Sequence, residues 1–160
     1  MGFNFSGIAI SKNYSNDIKG LAETFGWNLV FEKEINFEEA SANWKDEGIC
    51  DIYFSENGTL IFAGMDTVFE KWGIPGANTL TFALSETAMA FNLVYFENNE
   101  MKRSIMEAEG ERMSDEGEAL EIENTSEDTS DLIINLVGEI VGKTFWSIEP
   151  DEKCYRYTVQ

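Results

Sequence analysis

The stretch from residue 79 to residue 109 constrains the fold most, because it holds three β-type runs in succession. Residues 79–84 alternate polar and apolar side chains, and two further runs follow at 88–96 and 101–106. Asn98-Asn99 separates the last two runs, and Asn tolerates the positive φ that a two-residue hairpin turn requires. Strands joined by so short a turn are antiparallel neighbours. The stretch therefore predicts the centre of an antiparallel sheet.

A turn at Asn98-Asn99 also predicts the pairing register, in which Phe96 faces Met101 and Phe91 faces Met106. Paired residues share a face of the sheet, so one buried face is expected to carry Met89, Phe91, Leu93 and Met106. The opposite, mixed face is expected to carry Asn92, Val94, Arg103, Ile105, Glu107 and Glu109. Arg103 would then pair with Glu107 on its own strand.

The remaining chain predicts further strands and several helices around this centre. Strands are expected at 7–10, 27–31, 49–54, 59–63, 119–122 and 154–159. Helices are expected over 18–25, after Asn36, after Asp66 with Val68, Phe69 and Trp72 facing inward, and over 131–141 with a wide apolar stripe. These elements predict one α+β domain over residues 1–160, a mostly antiparallel sheet with helices packed on one face in two layers.

The charge of the chain restricts the partners it can have. It carries 30 acidic and 11 basic residues, a formal net charge of −19. So large a negative charge repels nucleic-acid backbones and anionic membrane surfaces, so neither is expected as a partner. The N-terminus lacks the basic and apolar regions of a secretory signal, and Cys50 and Cys154 lack C-x-x-C spacing. We therefore expect a cytoplasmic protein with reduced, buried thiols.

The sequence contains no motif of a common enzyme class. Histidine is absent, which removes the commonest general base and the Ser-His and Cys-His nucleophile pairs. The phosphate-binding and nucleophile-elbow glycine motifs are also absent. No cofactor, metal ligand or catalytic residue is predicted. Two alternatives remain open: a carboxylate pair drawn from Glu86, Glu107 and Glu109, and an irregular divalent-cation site in residues 107–131, called the acidic segment below.

A series of sequence features also carries a family resemblance. A strand and helix lead to Gly26-Trp27, and the series continues with the run from Phe82 to Phe91, Arg103-Ser104 and Gly117-Glu118. In this order, over about its first three quarters, the chain resembles a group of uncharacterised bacterial proteins. The resemblance implies the order of the elements and no activity.

Residues 107–131 hold eleven acidic residues and one basic residue, and most of this segment is expected to be loop. Such a density of charge favours a basic protein as the partner, as for an immunity protein, an inhibitor or a nucleic-acid mimic. The predicted contact residues are Glu107, Glu109, Glu111, Asp115, Glu116 and Glu118. The other interpretations are a carboxylate-based enzyme or small-ligand domain, and a soluble domain whose acidic surface serves solubility alone. The oligomeric state is not predicted.

Overall fold

The structure, a computed structural model, describes residues 3–68 and 73–160. The strands are β1 (Asn4–Ile10), β2 (Leu29–Asn36), β3 (Ile49–Phe54), β4 (Thr59–Ala63), β5 (Asn78–Ser85), β6 (Ala90–Glu97), β7 (Glu100–Ala108), β8 (Glu111–Gly117) and β9 (Lys153–Val159). The helices are α1 (Ile18–Phe25), α2 (Phe37–Ala40), α3 (Met65–Val68) and α4 (Thr129–Val141), with 3-10 turns at Glu121–Thr125 and Phe145–Ser147.

The described strands form a single antiparallel sheet in the order β2-β9-β3-β4-β1-β5-β6-β7-β8. The mostly antiparallel sheet predicted from the sequence is therefore confirmed. Strands β2 and β8 lie at its two edges, and β1 lies at its centre between β4 and β5. The acidic segment begins on β7 and includes β8, the edge furthest from β2.

Apolar side chains form a core on each face of the sheet. Strand β1 shows the division, because Phe5 and Ala9 join one cluster while Ile8 and Ile10 join the other. Helices α2 and α4 pack in the first cluster, and α1 contributes Leu21 and Phe25 to the second. The prediction that the helices cover one face of the sheet is not confirmed, since α1 lies on the face opposite α4.

Helix α4 forms where its sequence pattern predicts. The Asp128 carboxylate accepts a hydrogen bond from the Asp131 backbone N–H at 2.8 Å and caps the N-terminus. Gly142 ends the helix in the left-handed conformation, with φ of 75°. The whole predicted apolar stripe is buried, namely Leu132, Ile133, Leu136, Val137, Ile140 and Val141. The helix packs on β1, β4, β5 and β6.

The β6–β7 hairpin confirms the predicted turn but corrects the predicted register. Asn98 and Asn99 have positive φ values of 48° and 67°, and Phe96 faces Met101 as expected. A β-bulge then shifts the pairing by one residue, so that Phe91 faces Glu107 instead of Met106. A shift of one residue exchanges the two faces of a strand. Ile105 is therefore buried, and Met106 is 46% exposed.

The same bulge moves several predicted residues to the other face. Arg103, Ile105 and Glu107 lie on the face of the sheet that α4 covers, not on the opposite, mixed face. Met89 was also expected to be buried, and it is 51% exposed in the turn before β6. The predicted buried set was therefore wrong at Met89 and Met106 and correct at Phe91 and Leu93.

The acidic segment contains an edge strand at a different position from the predicted one. Glu109 and Gly110 form a second tight turn, with φ of 52° and 82°, and β8 follows over Glu111–Gly117. The predicted strand at 119–122 is not formed, because the chain enters the 3-10 turn at Glu121. Strand β8 has no apolar alternation since neither of its faces is buried.

The other elements differ from the predictions mainly in their ends. Strands β3 and β4 have the predicted bounds, whereas β1 begins earlier, at Asn4, and β2 extends to Asn36. Val68 is buried at the end of α3 as expected. Phe69 and Trp72, predicted to face inward on the same helix, lie outside the described residues.

Candidate functional site: the acidic sheet edge

Strand β8 has a neighbouring strand on one side only, within the part of the chain that the structure describes. Its pairing with β7 fixes the direction of its side chains. Asp115 faces Ile105 and therefore lies on the α4 face of the sheet, whereas Glu116 faces Ser104 and Glu111 faces Ala108 on the opposite face. The edge thus presents carboxylates on both faces.

Arg103 ties this edge to the rest of the fold. Its side chain is 4% exposed, and its Nε and one terminal nitrogen both donate to the Glu123 carboxylate at 2.9 Å. The other terminal nitrogen contacts Asp115 and donates to the backbone oxygens of Glu116 and Gly117 at 3.1 and 3.3 Å. The guanidinium therefore fixes β8 and the 3-10 turn relative to each other.

The same guanidinium sets the ionisation of its two acidic partners. Its hydrogen bonds lower the pKa of Glu123, and they also lower the pKa of Asp115 together with those from Arg112. Both carboxylates are thus held in the charged form. The expected Arg103–Glu107 pair is not formed, because β7 carries Arg103 towards β8 and Glu123.

The carboxylates of Glu107 and Glu86 accept hydrogen bonds from side chains in the first turn of α4. The Glu107 carboxylate binds Arg112 at 2.9 Å and accepts a hydrogen bond from the Thr129 hydroxyl at 2.5 Å. Glu86 accepts one from the Ser130 hydroxyl at 2.9 Å and one from the Phe3 backbone N–H at 2.8 Å. Both carboxylates therefore have structural partners that account for their positions. A catalytic carboxylate pair, the alternative left open by the sequence, would have to be free to act on a substrate.

The six predicted contact residues therefore fall into two groups. Glu107 and Asp115 bind arginines within the fold. The other four carboxylates are exposed, and among the described residues none of them forms an ion pair or a side-chain hydrogen bond. These four, called the edge carboxylates below, are Glu109, Glu111, Glu116 and Glu118. Uncompensated like charges this close in the chain create a negative potential at the β8 edge.

The sequence did not predict that Glu123 contributes to this site or that Arg103 binds it. Glu123 sits three residues after Leu120, and its carboxylate accepts the Leu120 backbone N–H at 2.6 Å, which is a local capping signal. Its pairing with Arg103 crosses twenty positions and depends on the β7 bulge. The local signal could have been found in the sequence, but the pairing could not.

A second charged cluster lies towards the opposite end of the sheet, around a buried carboxylate. Asp51 is completely buried and accepts two hydrogen bonds from Arg156, at 2.8 and 2.9 Å. Lys45 binds the same carboxylate at 2.8 Å. The partners of Asp51 are all provided by the fold, which favours a structural role.

The two cysteines are free and buried, as their spacing predicted. Burial raises the pKa of Cys50, and it raises the pKa of Cys154 to about 12. Thiols with raised pKa values hold little of the reactive thiolate at neutral pH. Neither cysteine is therefore a candidate nucleophile.

Within residues 3–68 and 73–160, no group of three or more Asp, Glu, Cys or His side chains is arranged to hold a metal ion. No helix in the same two ranges is long and apolar enough to cross a membrane.

The chain matches no protein-family model, no curated protein and no solved structure. The geometry of the β8 edge is thus what indicates a function.

Proposed function

We propose that this protein is an acidic protein-binding module that docks on a basic partner through the β8 edge. One observation carries the proposal: the four edge carboxylates are exposed and form no ion pair among the described residues. Their neighbours Glu107 and Asp115, by contrast, are neutralised by arginines. A basic surface would supply the missing countercharges, as in an inhibitor, an immunity protein or a mimic of nucleic acid.

The contacts that fix the β8 edge to the fold favour an ordered binding surface over a free acidic tail. Arg103 holds β8 against Glu123, and Arg112 joins β8 to Glu107 on β7. A surface that is ordered before binding loses less conformational entropy when the partner docks. Nucleic acid is excluded from the proposal because its phosphates carry the same sign of charge as the edge. The proposed compartment is the cytoplasm, which suits the free thiols of Cys50 and Cys154.

The alternative of a carboxylate-based enzyme has weaker support. Of its three candidate residues, Glu86 and Glu107 hold the first turn of α4 through Ser130 and Thr129. Glu109 is exposed in the turn between β7 and β8. A general acid–base pair needs two carboxylates that are free to exchange protons with a substrate. The binding function is therefore the one proposed.

The test compares two variants with the same net charge. In the edge variant, Gln replaces all four edge carboxylates, which changes the formal charge from −19 to −15. The control variant makes the same change at four exposed glutamates elsewhere: Glu23, Glu38, Glu56 and Glu149. Immobilised wild type and both variants are used to capture proteins from the source cell.

We expect a basic protein to bind the wild type and the control variant and to be lost from the edge variant. Circular dichroism checks that all three proteins are folded. Capture of the same proteins by all three would contradict the proposal, because the edge would then contribute nothing that other acidic residues do not.

A further inference from the structure

An apolar groove of about 420 Å³ lies beside the acidic edge, on the face of the sheet opposite α4. Small side chains form its floor, among them Ala83, Ala90 and Ala108. Trp44, Met65 and Met106 also line it, and they are 41%, 38% and 46% exposed. No side chain of residues 3–68 and 73–160 fills the space between them. This feature is called the methionine groove below.

The composition of the methionine groove suits a large apolar side chain. Alanines leave room above the sheet, and methionine side chains are flexible and polarizable, so they adapt to guests of different shape. Surfaces that bind varied peptides use methionine for this reason. The exposed tryptophan adds a broad apolar wall.

The acidic edge borders this groove. Glu111 faces Ala108 and Glu116 faces Ser104 across the β7–β8 pairing, so both side chains lie on the groove face of the sheet. Met106 faces Ser114, which lies between these two glutamates on β8. The apolar wall formed by Met106 therefore stands next to two uncompensated carboxylates.

We propose that the methionine groove takes a large apolar side chain from a basic segment of the partner protein. The inference rests on the proposed function and names the chemistry of the partner: a segment that carries both lysine or arginine and an exposed Leu, Met or Phe. The apolar side chain enters the groove, while the basic side chains contact Glu111 and Glu116. Among segments that carry a large apolar side chain, charge complementarity favours a basic one.

The same charge argument excludes two other occupants. A second copy of the chain has the same net charge of −19, so it would bring like charges to the groove. An anionic lipid surface would meet the same repulsion. A basic partner segment is the occupant whose charge and apolar surface both match.

The experiment uses the full chain and three synthetic peptides as probes. The first peptide is an amphipathic helix of Lys and Leu, the second replaces Leu with Gln, and the third replaces Lys with Glu. Binding is measured by titration calorimetry, and the labelled ε-methyl groups of the methionines are followed by NMR. Met65 and Met106 line the groove, whereas Met101 lies at the other end of β7 and serves as the reference signal.

We expect the Lys/Leu peptide to bind at least roughly tenfold tighter than the Lys/Gln peptide, since one buried leucine contributes about that factor. It should also bind more tightly than the Glu/Leu peptide, whose charges are repelled by the edge carboxylates. The signals of Met65 and Met106 should shift and that of Met101 should not. Met106→Gln should weaken binding of the Lys/Leu peptide by about tenfold, whereas Met101→Gln, outside the groove at the other end of β7, should leave it unchanged. Ala90→Leu, which fills the floor, should act like Met106→Gln.

The outcomes separate the inference from the function on which it rests. If the Lys/Gln and Lys/Leu peptides bind equally, and both are weakened in the edge variant, the acidic edge binds basic partners and the groove proposal is wrong. If the Glu/Leu peptide binds as tightly as the Lys/Leu peptide, the charge selection is wrong. If no basic peptide is affected by the edge variant, the proposed function fails as well.

Discussion

At the residue scale, Arg103 explains how β8, a strand made almost entirely of polar residues, is fixed relative to the rest of the fold. A guanidinium with a 4% exposed side chain is stable only where its donors are satisfied, and here five hydrogen bonds reach Glu123, Asp115 and the β8 backbone. The sequence indicated an arginine in a strand but placed it on the wrong face. Its direction depends on a bulge between Tyr95 and Phe96, and nothing in the pattern of β7 predicts that bulge.

The Arg103–Glu123 pair predicts a specific dependence of stability on pH. Arg103 lowers the pKa of Glu123 below its ordinary value of 4.5 in the folded protein. The folded state therefore binds fewer protons than the unfolded chain in this range, so the contribution of this group to stability is present above pH 4.5 and is lost as the pH falls through the lowered value. Glu123→Gln should show less loss of stability below that pH than the wild type.

The measurement is the urea midpoint of both proteins from neutral pH down to acid. Because all other groups are shared, the difference between the two curves reports on Glu123. The difference should narrow as the pH falls through the range below 4.5. Parallel curves would contradict the assignment of the Glu123 pKa to its pairing with Arg103.

At the element scale, the elements with local signals were predictable and those without them were not. Helix α4 carries its own cap, stripe and terminal glycine, and the Asn98-Asn99 turn carries its own φ preference. Strand β8 carries neither apolar alternation nor burial, and it is a strand because β7 offers it hydrogen-bonding partners. A strand that forms because of its neighbour shows no alternation of apolar and polar residues in its own sequence.

Gly58 joins two elements and gives a prediction at this scale. Gly58 lies in the turn between β3 and β4, but it is not among the glycines with positive φ. Its role is close packing, because a Cβ at this position would lie 2.5 Å from the Val141 Cα near the end of α4. Gly58→Ala should therefore reduce the free energy of unfolding by about 1–3 kcal/mol through overpacking.

Asn57→Ala provides the matched control, because this neighbouring turn residue is exposed. Chemical denaturation of the two variants distinguishes contact with α4 from a property of the turn. Equal losses in both variants, or no loss in Gly58→Ala, would be inconsistent with a tight contact between the hairpin and the helix.

At the scale of the whole molecule, the two edges of the sheet differ in charge. Strand β2 is interrupted by a bulge and carries Glu32, Lys33 and Glu34, a mixture of signs that discourages pairing with another strand. Strand β8 carries charges of mainly one sign, which repel a second copy and attract a basic surface. The sequence predicted an acidic surface from composition alone. It could not separate the carboxylates neutralised within the fold from the four edge carboxylates, which form no ion pair in the part of the chain that the structure describes.

The uncompensated edge should be visible in the kinetics of association. Exposed charges attract a partner over about the Debye length, roughly 8 Å at physiological salt, so added salt reduces the rate of encounter. A basic peptide that binds at the β8 edge should thus associate fastest at low salt. Glutamates distributed over the rest of the surface contribute little to this steering when they lie further than that from the docking site.

The most direct test is the association rate constant of the Lys/Leu peptide, measured by stopped flow over a series of salt concentrations. The wild type and the control variant should show the same rates and the same steep fall with salt. The edge variant, of equal net charge, should associate several-fold more slowly at low salt and show a shallower fall. If both variants instead give the same rates and the same slope, association responds to net charge alone, and the β8 edge is not the binding site.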